Sequence, residues 1–161
     1  MARPSQVIVL VEDSRHQQFV FRYLRQCGLE SHMMRLVAYP AGAGSGEHWV
    51  RKQFALEVQA YRRRRAHAGT ALIVVIDADN LSVQDRLAQL DHAMDEAKAD
   101  PIRPDAEQIA RLVPKRNIET WPGSAGLAGI FVAVRYSRLL QCPIITVILD
   151  LWTGLKRSSR R

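Results

Sequence analysis

A chain of 161 residues with 47% apolar and 24% charged residues is long enough to bury the core of one domain and too apolar to be disordered. No run approaches the roughly 18 uninterrupted apolar residues of a membrane span. Cys27 and Cys142 stand too far apart in sequence for a Cys-x-x-Cys site, and the start leads into a strand-like run with no cleavage-site pattern, so a cytoplasmic protein without a membrane partner is expected.

The apolar run Val7–Val11 ends at Glu12-Asp13-Ser14 and predicts a buried strand with an acidic tip. Asp13 or Ser14 caps a helix, because Phe19, Val20, Tyr23 and Leu24 recur at helical spacing, with Gly28 as a stop signal. Met33–Tyr39, bounded by Pro40, suits a second strand. After the glycine-rich stretch Gly42–Gly46, helical spacing returns over Glu47–Arg65 through Trp49, Val50, Phe54, Leu56, Val58 and Tyr61. That glycine stretch lacks the Gly-Lys-Ser/Thr ending of a P-loop and reads as a turn or lid.

Ala71–Asn80 is the stretch around which the rest is arranged. Six apolar residues, mostly β-branched, run into Asp77-Ala-Asp79-Asn80, the pattern of a strand buried on both faces and ending in carboxylates. Alternation puts Asp77 and Asp79 on one face, where two close carboxylates are stable as dianions mainly around a hard cation. The competing reading is that Asp79-Asn80 forms a turn. Leu81–Ala97 is the next helix, with Ser82 as cap and Leu87, Leu90 and Met94 on one face, and Ile109–Val113, ended by Pro114, is a short fourth strand.

Strand and helix therefore alternate. The expected fold is α/β, a Rossmann-like, mostly parallel sheet of about four strands with helices on both faces. The carboxyl ends of such strands carry the site, so Glu12, Asp77, Asp79 and the turn Lys115–Glu119 should converge on one edge. Charge adds a second candidate surface. The net charge is +7, but residues 1–121 hold 17 Lys/Arg against 15 Asp/Glu, and residues 122–161 six against one. Within the first part, Arg51, Lys52 and Arg62, Arg63, Arg64 and Arg65 sit on one predicted helix, with Arg116 in the later turn. They form a candidate nucleic-acid surface, the alternative being a solvated helix face. Residues 122–161 read as an apolar, basic C-terminal segment: a last strand over Ile144–Leu149, an interface segment that permits an oligomer, or the product of a reading-frame shift.

With Glu12 at the first strand tip and Asp77-Ala-Asp79 at a later one, residues 6–121 resemble the Toprim domain shared by topoisomerases, primases and OLD-type nucleases. Gly42–Arg51 and Val113–Trp121 are similar to stretches of the small stand-alone Toprim-like proteins of bacteria. The resemblance implies a Toprim-like catalytic domain over 1–121, with Mg²⁺ (or Mn²⁺) held by Glu12, Asp77 and Asp79 at a phosphodiester of nucleic acid, DNA before RNA. It also implies a role in bacterial defence with an ATPase partner, since this chain has no P-loop of its own. Where OLD-type nucleases place an acidic ligand one turn after the glutamate, this chain has His16, which ligates Mn²⁺ or Zn²⁺ better than Mg²⁺.

The chemistry suits those residues. Divalent ions on carboxylates neutralise phosphate oxygens and acidify water. Glu12 is a metal ligand or moves a proton, Lys115 stabilises developing negative charge, and Glu119 is a candidate ligand for a second ion. Two other readings stand beside this one. The first is a receiver-like signalling domain phosphorylated on Asp77, against which the 64-residue interval from Asp13 and the missing Met-Pro-x-x-Asp-Gly continuation argue. The second is a catalytically silent interaction subunit.

Overall fold

In the computed structural model, residues 4–26, 28–37, 39–40, 45–65 and 69–114 are described, apart from the side chain of Arg65. Lys115, Arg116, Glu119, most of the glycine-rich stretch and the segment 122–161 lie outside the described residues.

Two strands organise the fold because both faces of each are apolar. β1 (Gln6–Val11) and β3 (Thr70–Val75) pair in parallel from Gln6↔Thr70 to Val11↔Val75. β2 (Met34–Val37) pairs with the free side of β1 and β4 (Ile109–Leu112) with that of β3, both in parallel, giving the sheet order β2-β1-β3-β4. This is the α/β, all-parallel, Rossmann-like architecture. The strands begin and end within a residue or two of the expected positions; Met33, expected in β2, instead closes a 3₁₀ turn over Ser31–Met33.

Side chains alternate across the sheet and define two layers. Val7, Val9, Val11, Ala71, Ile73 and Val75 point to one side, where Val20 and Leu24 of α1 (Ser14–Gln26) cover them. Ile8, Leu10, Leu72 and Val74 point to the other, where Phe54, Val58 and Tyr61 of α2 (Gly46–Arg65) and Leu87, Leu90 and Met94 of α3 (Val83–Glu96) cover them. Each fully buried Ile, Leu or Val contributes about 1.5–3 kcal/mol. The split comes from connection hand. The chain steps from β1 outward to β2, then crosses back past β1 to β3 and on to β4; crossovers of one hand put helices of opposite steps on opposite faces.

Local chemistry sets the helix ends. Asp13 Oδ1 accepts the N–H groups of Arg15 and His16 (both 2.8 Å), capping α1. At its far end Gly28 adopts φ 78°, Gly28 N–H bonds Arg25 O (2.9 Å), Leu29 N–H bonds Leu24 O (3.0 Å), and both leucines are buried together. That is a Schellman stop, which requires the left-handed backbone glycine tolerates. Ser82 caps α3 in a reciprocal pair with Asp85. In α2 the expected apolar set is corrected at Leu56, which is 51% exposed. It falls between Ala55 and Glu57, both buried, outside the stripe that faces the sheet.

Candidate metal centre at the carboxyl edge

In an open parallel sheet, a crevice forms at the carboxyl edge where successive helices leave for opposite faces. Here that point lies between β1 and β3, since α1 departs to one layer and α3 to the other. Glu12 comes directly after β1 and Asp77 stands two residues beyond β3. The two tips touch: Asp77 N–H donates to Glu12 Oε2 (3.2 Å). A Cβ on Gly46 would fall 2.5 Å from the Glu12 carbonyl oxygen, so only glycine lets the start of α2 come this close to the site.

Sheet-like bonding continues past β3. Ile76 N–H donates to Leu112 O (3.1 Å) and Ala78 N–H to Pro114 O (2.9 Å). Ile76 and Ala78 therefore stay in the α2/α3 layer, and Asp77 faces α1. There its Oδ1 lies 3.1 Å from Nε2 of His16, a side chain only 1% exposed. Asp79 does not keep to the alternation. Its φ is 50°, in a turn closed by Leu81 N–H on Ala78 O (2.9 Å), and its Oδ2 is 3.3 Å from Nη2 of Arg86 on α3. The expectation that Asp77 and Asp79 share a face is thus corrected. The turn sends one carboxylate toward α1 and the other toward α3.

Arg86 is itself buried and also pairs with Glu47 at the start of α2, which in turn meets Arg51 Nε (2.6 Å). On the other side of the crevice, Glu12, Asp13 and His16 offer ligand atoms that all lie within 4.8 Å of one another. Among the described residues this is the group compact enough for one metal ion. The donor set fits such an ion: two carboxylates and an imidazole whose Nδ1 is buried without a hydrogen bond.

Charge is incompletely compensated here. Burial pushes the Glu12 carboxyl up to about 7, and the charges of Asp77 and Asp79 add to the rise, while the Asp77 N–H and His16 oppose it. Burial draws His16 down, but its hydrogen bond to Asp77 and the charges of Asp77, Asp13 and Glu12 outweigh this and hold the imidazole above its ordinary value. A half-buried carboxyl pushed up toward neutrality in a crevice makes Glu12 a candidate functional group.

Comparison with protein-family models, curated proteins and solved structures found no match.

The arginine cluster separates into different roles. Successive residues on a helix turn by about 100°, so four in a row cannot share one face. Arg62 makes four hydrogen bonds: Nε and Nη2 fork onto Glu107 (2.7 and 3.0 Å), and Nη1 and Nη2 reach the carbonyls of Asp100 (2.9 Å) and Pro101 (3.0 Å). Its guanidinium is committed to these partners rather than to an open basic surface. Arg64 lies 3.9 Å from the buried Glu57, and Arg51 is paired with Glu47. Lys52 and Arg63 are exposed.

Sequence reasoning named Glu12, Asp77 and Asp79 but did not assign Glu47 or Arg86 to the site. One signal for Arg86 was present: it precedes Leu90 and Met94 at four-residue intervals and so lies on the buried face of α3. Nothing local could pair His16 with an aspartate 61 positions away.

Proposed function

We propose that this is a cytoplasmic, divalent-metal-dependent phosphodiester hydrolase acting on nucleic acid, DNA before RNA, at the edge where Glu12, Asp77 and Asp79 meet. The observation that supports this most is the contact of two acidic strand tips at the topological switch point, the Asp77 backbone N–H on Glu12 Oε2 at 3.2 Å, with the Glu12 carboxyl raised to about 7. A divalent ion on these acids would neutralise phosphate oxygens and acidify bound water.

The side chains divide the remaining work. Glu12 is a ligand of that ion or the group that takes a proton from the attacking water and returns it to the leaving oxygen. Asp77 and Asp79 are presented from one short turn, each held by a partner on a different helix, so neither must reorganise to receive charge. Lys115 and Glu119, next in the chain, are proposed as a charge stabiliser and a further acidic ligand. The exposed Lys52 and Arg63 meet the nucleic-acid backbone, with Arg116 as a further candidate.

The test is cleavage of supercoiled plasmid, labelled single-stranded DNA and RNA by the purified chain in EDTA, Mg²⁺ or Mn²⁺. Metal-dependent cleavage should fall at least about 100-fold in Glu12→Ala and Asp77→Ala, the scale of losing a positioned acid–base group, with unchanged circular dichroism. Absence of cleavage with every metal and substrate would overturn the proposal. Stable complex formation with an ATPase would then identify an interaction subunit, and incorporation of phosphate at Asp77 a receiver-like switch.

A further inference from the structure

We propose that one transition-metal ion binds on the α1 side of the crevice through Nδ1 of His16 and the carboxylates of Asp13 and Glu12, with Asp77 as the positioning residue that orients the imidazole. This rests on the reading of the edge as a metal site, and it names the ion class and the ligands.

The argument starts from the two ring nitrogens. Nε2 lies 3.1 Å from Asp77 Oδ1, a contact that places a proton on Nε2 and leaves the lone pair on Nδ1. Carboxylate, imidazole and metal in that order is how ligating histidines are held in the right tautomer. Nδ1 is buried, has no hydrogen bond among the described residues, and lies 3.4 Å from Asp13 Oδ1. Two ligands each about 2.1 Å from a tetrahedral ion lie about 3.4 Å apart, so this pair already stands at the separation such an ion requires. Asp13 is pinned by the backbone N–H groups of Arg15 and His16. Glu12, adjacent in the chain and partly exposed, has a carboxylate oxygen within 4.8 Å of a ring nitrogen of His16 and of an Asp13 oxygen.

The arrangement has two physical consequences. A helix N-terminus disfavours cations, so the ion is held only because two acids offset that end of α1. Mg²⁺ demands an oxygen octahedron and parts from water reluctantly, whereas imidazole suits Zn²⁺ and Mn²⁺. The site therefore discriminates against Mg²⁺. Asp77 acts on this ion through His16, and Asp79, turned toward Arg86, lies outside its ligand set.

The experiment is a titration of the full chain with Zn²⁺, Mn²⁺ and Mg²⁺ separately, read by calorimetry and, for Zn²⁺, by the imidazole nitrogen NMR shifts of assigned His16. The expected result is Zn²⁺ and Mn²⁺ affinity at least about 10-fold above that for Mg²⁺, a metal-induced shift at Nδ1 of His16, and a loss of about 10- to 100-fold in Zn²⁺ affinity in Asp77→Asn, the usual effect of removing an orienting partner. His16→Gln should lose the tight site. The wild-type NMR readout needs no variant, so a folding defect in His16→Gln cannot mask the answer. An unmoved Nδ1 at saturating Zn²⁺, or wild-type affinity in folded His16→Gln, would overturn the proposal. Cleavage is measured on the same samples. An intact His16 metal site with no cleavage overturns the hydrolase reading alone, and Mg²⁺-driven cleavage with an unmoved His16 overturns this one alone.

Discussion

Two glutamates at opposite edges of the same sheet, Glu12 half-buried and Glu107 fully buried, meet opposite fates. Glu107, just before β4 at the amino edge, is fully buried, but Arg62 forks onto it and Arg103 N–H donates to Oε2 (2.8 Å). Burial alone would raise its pKa; the Arg62 and Arg103 bonds and charges outweigh that and hold it below the ordinary value. The same contact raises Arg62 further. Tyr61 reinforces this lock by accepting Gln108 N–H (2.7 Å). Glu12, at the carboxyl edge, has one backbone N–H, a histidine and two neighbouring aspartates, and its carboxyl rises to about 7. The lesson is that burial of an acid does not by itself mark a site. A paired buried acid holds structure together, while a half-buried one with no lysine or arginine partner among the described residues is open to a proton, a metal or a substrate.

The comparison can be broken at the amino edge first. Arg62→Met leaves Glu107 buried without its cation and should cost about 3–5 kcal/mol, read as a lower urea midpoint with unchanged slope. A loss below about 1 kcal/mol would mean that the pair is not a lock. At the carboxyl edge the effect is smaller and depends on pH. The raised carboxyl of Glu12 means that the native state holds a proton the unfolded state has lost between about 4.5 and 7, so stability falls as pH rises through that window. His16 acts in the same direction: its raised value contributes stability fully below 6.5 and loses it as pH rises through the native value. Glu107 has the opposite sign, its contribution being present above 4.5 and lost as pH falls through its lowered native value. Metal-free protein in EDTA should thus melt higher at pH 5.5 than at pH 8. Glu12→Gln should flatten that profile, leaving only the share from His16. An unchanged profile in the variant would remove Glu12 from the account.

The smallest effects lie at the two ends of α3. Ser82→Ala, at its capped start, should cost about 1 kcal/mol. Lys98, at its end, sits at φ 51° in a second Schellman stop, with Lys98 N–H on Asp95 O and Ala99 N–H on Met94 O (both 2.9 Å). Lys98→Gly should therefore gain about 0.5–1 kcal/mol by relieving the left-handed backbone. Thermal melts of both variants, opposite in sign and with cleavage unchanged, would separate ordinary helix-end energetics from the electrostatics of the two edges.

What the sequence by itself determined is the local and periodic part of this protein. Two β-branched runs predicted β1 and β3, a helical recurrence predicted the three helices, and Gly28, Ser82 and Pro114 marked element ends, because propensity, capping and turn chemistry act within a few residues. The strand-tip acids Glu12 and Asp77 were legible for the same reason, since parallel topology sends every strand tip to one edge. Tertiary structure decided which acid meets which partner. His16 finds Asp77 across 61 positions, Asp79 turns away to Arg86, Arg62 forks onto the buried Glu107, and Leu56 is left outside. Pairing of this kind depends on how far each charge is taken from water and what lies within a few ångströms of it, and both are set only when the helices dock on the sheet.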